Sequence, residues 1–387
     1  MVDIMLHTQR FLIDAVNAGG TATTALAQLT AELGIKVRDY PDDGIVLLDY
    51  NQIDSPKTHP VVVECRSLIL NRDTFSVVSR KMDRFFNLGE AAEHYHDFSF
   101  DGAIAYEKAD GSLIGVYHNP ITERWEISTR GMAKAEGEHA MGGTFRERVL
   151  AAFGFTEEKQ FQLFGQMFLI EDYTYVFEYT GPENRVVTPY EKTEMVLLAV
   201  TPVVGSLPND PNRIASFVNT FELGGFNVRV PKTYSFNSPD ELNALANSLT
   251  GLQEGFVVYD PKSGKRVKVK ATDYLYAHRL RGENAIPTRK NILELVLEGE
   301  TSEVLAYFPE FKQYIDPVEA EVADFLTTLV AKYESVKHIE DQKEFALAIR
   351  GYGAAGVLFS TRKVGSNDPV AVFRALPITS KWKLFGL

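Results

Sequence analysis

Apolar residues in "QRFLIDAVNA" recur at helical spacing, Gly19-Gly20 breaks the pattern, and a second helix is predicted from Thr21 to Leu33, so the first 40 residues read as helical. From about Gly44 to Lys270 the period shortens. "IVLLDY", "VVVEC", "SLIL", "FSVVS", "SLIGVYH", "RWEIS", "YVFEY" and "MVLLAV" are β-rich runs bounded by turn residues. "GFVVYDPKSGKRVKVK" predicts a hairpin turning at Asp260, Pro261, Ser263 and Gly264. Few helical crossovers separate these runs, so antiparallel sheets are expected. Beyond Leu280 helical spacing returns. In "DPVEAEVADFLTTLVAKY", Asp316 is placed to cap, Pro317 to take the first helical position and Glu319 to complete a capping box. Val318, Val322, Phe325, Leu326, Leu329, Val330 and Tyr333 then share one face. The expected class is α+β: a mixed unit over 1–280 with N-terminal helices, a linker at 281–288 and a helical unit over 289–387. No internal repeat or low-complexity tract interrupts this plan.

Composition adds limits. With 387 residues, 45% hydrophobic and 11% aromatic, the chain can bury a substantial core. No apolar run approaches the roughly 20 residues of a membrane span, and "MVDIMLHTQRFLIDAV" carries an early acid and no cleavage pattern, so a cytoplasmic protein with no membrane partner is expected. The single cysteine, Cys65, excludes an internal disulfide and a cysteine-built zinc site. A net charge of -12 argues against indiscriminate coating of nucleic acid. That charge is segregated, however: nine Lys or Arg residues lie between Lys262 and Lys290 against only Asp273 and Glu283. Such a window can hold a polyanion.

The candidate chemistry starts at "YEKADGSLIG". Lys-x-Asp-Gly arises by chance in roughly one chain in ten of this length, so Lys108 needs partners before it means anything. They exist. Glu254 and Gly255 open the hairpin, and Arg266, Lys268 and Lys270 alternate onto one face of its second strand. Glu178 interrupts the apolar run of "YVFEYTGPENRVV", Arg66 sits within "VVVECRSLIL", and "SRKMDRFFNLGE" supplies Arg80, Lys81, Arg84, Phe85 and Phe86. Taken singly, the basic strand reads as a solvated face, the glutamate as an outward strand residue, and the phenylalanines as core. Taken together, they fit attack of a lysine amine on phosphorus. The amine must be unprotonated, and burial among Arg66, Lys268 and Lys270 is expected to lower its pKa. The same cations would neutralise nucleotide phosphates, and Asp110, Glu178 and Glu254 could hold hydrated magnesium. The product would be a lysyl-nucleotide phosphoramide. Other motifs carry less: "SGKR" lacks the first glycine of a P-loop, His94 and His96 read as solvated loop residues, and "GYGAAG" has no preceding strand.

In order, "ECRSLIL", "SRKMDRFFNLGE", "KADGSL", "FEYTGPENRVVTPY", "EGFVVY" and "KVKATDYLYAH" resemble the covalent nucleotidyltransferase superfamily, and within it the RNA ligase 1 family of the phage tRNA-repair type. The resemblance covers roughly Tyr50 to His278. It implies a nucleotidyltransferase domain with ATP-grasp-like antiparallel sheets, followed by an all-α C-terminal domain for RNA specificity. It also implies that ATP, with Mg2+ or Mn2+, adenylates Lys108, and that RNA carrying 5'-phosphate and 3'-hydroxyl ends, such as tRNA, is joined through an adenylated 5' end. A separate kinase-phosphatase would heal the ends, in the host cytoplasm if the chain is phage-encoded. Residue by residue, it implies that Asp110 and Gly111 shape the nucleophile loop, that Glu178 lies near the nucleotide sugar and the metal's water shell, and that Glu254, beside Gly255, faces metal and phosphate. Lys268 and Lys270 would contact phosphates; Tyr50, Arg66 and Tyr274 match positions around the nucleotide. Arg84, before Phe85-Phe86, and Arg130, in "STRGM", stand where lysine is expected, which keeps the charge but changes its geometry. Helices after the last lysine block, and the lack of Arg-x-Asp-Lys, put DNA ligases and capping guanylyltransferases second. A catalytically inactive RNA-binding relative is the remaining alternative.

Overall fold

Two helices, α1 (His7–Asn17) and α2 (Ala22–Leu33), open the chain. The Thr21 hydroxyl accepts from the Thr24 amide, and Gly34 closes α2 at φ 64, a left-handed position that suits glycine. Their apolar faces, through Leu12, Leu26 and Leu29, pack on a four-stranded antiparallel sheet: β1 (Ile35–Tyr40), β2 (Ile45–Tyr50), β3 (Arg66–Asn71) and β4 (Val77–Ser79). The structure, a computed structural model, describes residues 5–51, 54–139, 142–203, 211–223, 225–226, 228–272, 274–275, 287–299, 301, 304–305 and 309–387.

Two expectations fail in this first sheet. Residues 35–40 form β1 instead of extending the helical region, because pairing Ile35 with Tyr50 through Tyr40 with Ile45 completes the sheet edge. "VVVEC" is not a strand: Pro60–Glu64 is a short helix, α3. Pro60 suits the first helical position, and Glu64 is held where its carboxylate accepts from the His7 and Thr8 amides and the Thr8 hydroxyl at 3.0, 2.8 and 2.8 Å. Tertiary bonds override the β propensity of three valines.

A second sheet runs β11 (Val228–Arg229), β10 (Glu194–Pro202), β9 (Tyr173–Thr180), β7 (Ser112–Asn119) and β8 (Arg124–Ser128). Helices α4 (Phe145–Phe153), α5 (Glu158–Phe168) and α6 (Pro211–Leu223), which the strand-rich reading passed over, supply Phe153, Phe161, Phe164 and Phe221 to its core. A third sheet runs β12 (Thr233–Tyr234), β6 (Ile104–Glu107), β13 (Gly255–Tyr259), β14 (Arg266–Lys270) and β5 (Phe86–Asn87). The helix α7 (Pro239–Asn247) covers one of its faces with Leu242 and Ala246. Antiparallel pairing dominates, with two departures: β10 with β11 and β14 with β5 are parallel. Both involve two-residue edge strands, and β10 reaches β11 by a crossover that carries α6.

The chain divides into two compact units, Met1–Leu275 and Tyr276–Leu387. Residues 281–286 of the expected linker lie outside the described residues. Described residues of the second unit are helical, as its apolar spacing predicts. Its longest helix begins at Lys312, not at Asp316, and carries Pro317 inside it; Asp316 pairs with Lys312 at 2.7 Å instead of capping. Val318, Val322, Leu329 and Tyr333 are buried as expected, whereas Val330 is 39% exposed. Among the described residues no helix is long and apolar enough to cross a membrane.

Candidate active site

Lys108 follows β6 directly and begins a four-residue connection to β7, so it stands where the third sheet hands over to the second. Its amide donates to the Gly255 carbonyl at 2.9 Å, and the Gly111 amide donates to Glu178 Oε1 at 3.1 Å, which fastens the connection at both ends. Neighbouring strands bring the rest. In the register of β6, β13 and β14, Tyr106, Val257 and Lys268 form one row, with Lys270 opposite Gly255. Side chains alternate, so the lysines of β14 face the same cavity as Tyr106 and Val257. The cavity measures about 170 Å³; Met82, Phe85, Tyr106, Leu198, Ile214 and Val257 give it apolar lining, and Arg66, Lys108, Glu178, Glu254, Lys268 and Lys270 give it charge.

The two motif glycines are required by contact. A Cβ on Gly111 would lie 2.1 Å from the Tyr179 carbonyl oxygen; one on Gly255, at φ 126, would lie 2.1 Å from that of Val269. Backbone cannot yield as a side chain can. Gly111→Ala and Gly255→Ala are each expected to cost about 3 kcal/mol or more in urea unfolding. Parent-like midpoints would contradict these close approaches.

Charge is arranged differently from the sequence-based expectation. Glu254, 4% exposed, binds Lys108 through Oε2 at 2.5 Å and Lys270 through Oε1 at 2.9 Å. Burial pulls the Lys108 pKa down, but Glu254 and Glu178 outweigh it, so the amine is raised above its ordinary value and stays protonated. The expected depression falls on Lys268 instead, whose pKa is lowered to about 7 by burial, then by Arg66, Lys108 and Lys270. Burial is also the main reason the Glu178 carboxyl is raised to about 7.

Both shifts carry a cost near neutrality. As pH rises from about 4.3 towards 7, the unfolded chain ionises Glu178 before the folded one does, and stability falls. As pH falls from about 10.4 towards 7, the unfolded chain protonates Lys268 first, and stability falls again. A polyphosphate brought beside these groups raises both pKa values. Metal-free nucleotide binding at pH 7.5 is therefore expected to take up on the order of half a proton, read as a buffer-dependent calorimetric heat. Proton release in that experiment would contradict the assignment.

Asp110 does not join the cavity. It is 3% exposed; Oδ1 accepts from the Tyr274 hydroxyl at 2.8 Å, and Oδ2 accepts from the Val187 and Thr188 amides at 2.7 Å each. Its own amide donates to the Tyr190 hydroxyl at 2.9 Å. Both Asp110 oxygens are thus engaged in hydrogen bonds that tie the loop to Tyr274, Val187 and Thr188. Tyr274 is likewise buried behind the cavity, with the Lys270 amine 5.2 Å from its ring centre. Glu178 and Glu254 remain as oxygen donors on the wall. Among the described residues no three His, Cys, Asp or Glu side chains form a metal cage.

Tyr50, Arg84 and Arg130 form a neighbouring cluster instead of lining the cavity. The guanidinium carbons of Arg84 and Arg130 lie 4.0 and 4.6 Å from the Tyr50 ring centre, and Arg130 Nε donates to Asp49 at 3.1 Å. Arg84 Nη1 is buried with no hydrogen-bond partner among the described residues. Phe86 lies 5.3 Å from the Arg84 guanidinium and is otherwise core, edge-on to His94 and Tyr95. His94 is therefore packed, not simply solvated. Arg66 links the groups: it lines the cavity, donates to the Met82 carbonyl at 3.4 Å, and feels Tyr50, Arg130 and Glu178. Sequence reasoning missed the apolar wall of Tyr106, Leu198, Ile214 and Val257, although strand alternation with Lys268 signals Val257. Tyr190 left no periodic signal, since it lies in a loop.

The profile of the RNA ligase family matches residues 64–283. A putative bifunctional polynucleotide kinase/RNA ligase of Autographa californica nuclear polyhedrosis virus is 35% identical over 322 residues, 81% of this chain and 43% of that protein. The RNA ligase of Rhodothermus phage RM378 is 24% identical over 353 residues, 74% of this chain and 78% of that one. The chain thus spans less than half of the viral relative. Among solved structures, an RNA ligase of Naegleria gruberi, as a variant with ATP and manganese, gives a TM-score of 0.34 at 17% identity over 46% of this chain and 51% of that one. On the profile match and the viral relative, this chain belongs to the RNA ligase family.

Proposed function

We propose that the chain is an ATP-dependent RNA ligase acting through a lysyl-AMP intermediate on Lys108. One observation carries the reading: Lys108 stands in the wall of a cavity lined by apolar side chains, by the cations Arg66, Lys268 and Lys270, and by the carboxylates of Glu178 and Glu254. A nucleoside fits the apolar wall of Tyr106, Leu198 and Val257; phosphates fit Arg66, Lys268 and Lys270. The Lys108 amine forms a bond to the α-phosphorus as the bond to the β-phosphate oxygen breaks and pyrophosphate leaves. Glu254, at 2.5 Å, holds the amine and can receive its proton. An RNA 5'-phosphate then displaces Lys108 from the AMP, giving an adenylated end. A 3'-hydroxyl attacks that end and releases AMP.

Glu178 and Glu254 would hold a hydrated Mg2+, or Mn2+, which would neutralise phosphate charge. Arg84, with its unpartnered Nη1, and Arg130 would receive the outer phosphates beside Tyr50. Asp110, Gly111, Gly255 and Tyr274 would act by holding the loop. We assign the helical C-terminal unit, 289–387 by its sequence, to the choice of RNA, with tRNA as the substrate to try first. The joint name of the viral relative supports a kinase, separate or fused, as the source of 5'-phosphate ends, and the reaction is placed in the cytoplasm.

Intact-mass measurement after incubation with ATP and magnesium, followed by addition of 5'-phosphorylated RNA, tests the reading. An AMP adduct that disappears as RNA is joined supports it. An adduct formed only with GTP would favour a capping enzyme, and an adduct passed only to nicked DNA a DNA ligase.

A further inference from the structure

Lys81 is 1% exposed and has no ion-pair partner among the described residues. Its amine donates to the Ser67 hydroxyl at 2.6 Å and to the Thr129 carbonyl at 3.3 Å, while Ser67 Oγ donates to the same carbonyl at 2.9 Å. The stem lies so close to β7 that a Cβ on Gly115 would be 2.5 Å from Lys81 Cε. A methionine would fill this space without burying an amine, so packing does not explain the lysine.

Its partner does. Along β2 and β3, Leu48 pairs with Leu68 and Asp49 with Arg66, so Ser67 is the extra residue of a β-bulge. Ser67 has φ 59, in the left-handed region that serine rarely adopts. Bulges re-aim neighbouring side chains, and the neighbour here is Arg66, whose guanidinium reaches the cavity. We propose that Lys81 is a positioning residue for Arg66: by bonding Ser67 it holds the bulge that turns Arg66 towards the nucleotide phosphates. Burial and Arg66 lower the Lys81 pKa to about 7, so a neutral amine can occupy this place beside Arg66. Thr129 precedes Arg130, so the same amine also ties down the segment carrying that cation.

This inference rests on the cavity binding ATP, and its test separates the two. Rates of AMP transfer are measured against ATP concentration for the parent, Lys81→Met, Ser67→Gly and the double variant, with Tm followed in parallel. Lys81→Met is expected to raise the ATP concentration for half-maximal rate about tenfold or more, with a smaller change in maximal rate. Glycine adopts the bulge conformation unaided, so the double variant is expected to recover to within about threefold of the parent. Parent-like behaviour of Lys81→Met, or a double variant no better than Lys81→Met, overturns the proposal. If Lys81→Met is insoluble, Lys81→Gln with and without Ser67→Gly makes the same comparison. No AMP transfer by the parent defeats the ligase reading instead, and a crystal structure of Lys81→Met then decides this one: Ser67 still at positive φ with Arg66 in the cavity overturns it.

Discussion

Lys108→Ala is expected to gain no AMP under conditions in which the parent gains one, with residual transfer below about a thousandth of the parent rate. Among the described residues no other amine stands in the same relation to the site. Lys268 and Lys270 lie on β14, separated from β6 by β13, and Lys270 already shares Glu254 with Lys108. The variant keeps its backbone bond to Gly255, and Glu254 keeps Lys270 as its counter-charge, so unfolding is not the expected cause of failure. An adduct of undiminished yield on Lys108→Ala would reject the nucleophile. An adduct mapped by peptide mass to Lys268 or Lys270 would move it to β14.

Glu254→Gln is expected to separate two properties of the nucleophile. Glu254 is the counter-charge of two amines that are only 19% and 20% exposed, so removing its charge leaves both poorly solvated, at a cost of about 3 kcal/mol. With that partner gone, burial dominates and the Lys108 pKa falls. Lys108 should then react faster with a small acylating reagent at neutral pH. AMP transfer should nevertheless drop about 100-fold, because the amine is no longer held in line. Slower acylation together with slower transfer would mean that Glu254 serves Lys108 chiefly as a base and not as a hold on the amine.

The residues that bear charge were legible because they lie on strands. Period-two alternation puts Arg266, Lys268 and Lys270 on one face, and an unexpected Glu178 in an apolar run marks a cavity wall. The state of Lys108 was not legible. It depends on Glu254 approaching from just before β13, 146 positions away, and sequence gives the partners without their distance. The surroundings of Asp110 were hidden for a similar reason: only the fold brings Tyr274, Val187 and Thr188 to its oxygens. The same limit governs local structure. "VVVEC" has the composition of a strand, but Glu64 is worth more to the fold as the acceptor at the start of α1. The amphipathic helix of the second unit was visible in its apolar face, though its start was displaced because Lys312 engages Asp316 one turn earlier.

The connection from Lys108 to Gly111 is fastened to the third sheet at its first residue and to the second sheet at its last. Four residues with both ends tied leave little slack, and the glycine beneath each fastening excludes even a methyl group. Lys108 and Glu178 therefore move together as parts of one joint. The entropy of bringing nucleophile and carboxylate together is spent when the chain folds, not when nucleotide arrives. Such a site fails all at once: a strain that opens the joint removes the amine, the acid and the floor of the cavity in a single event.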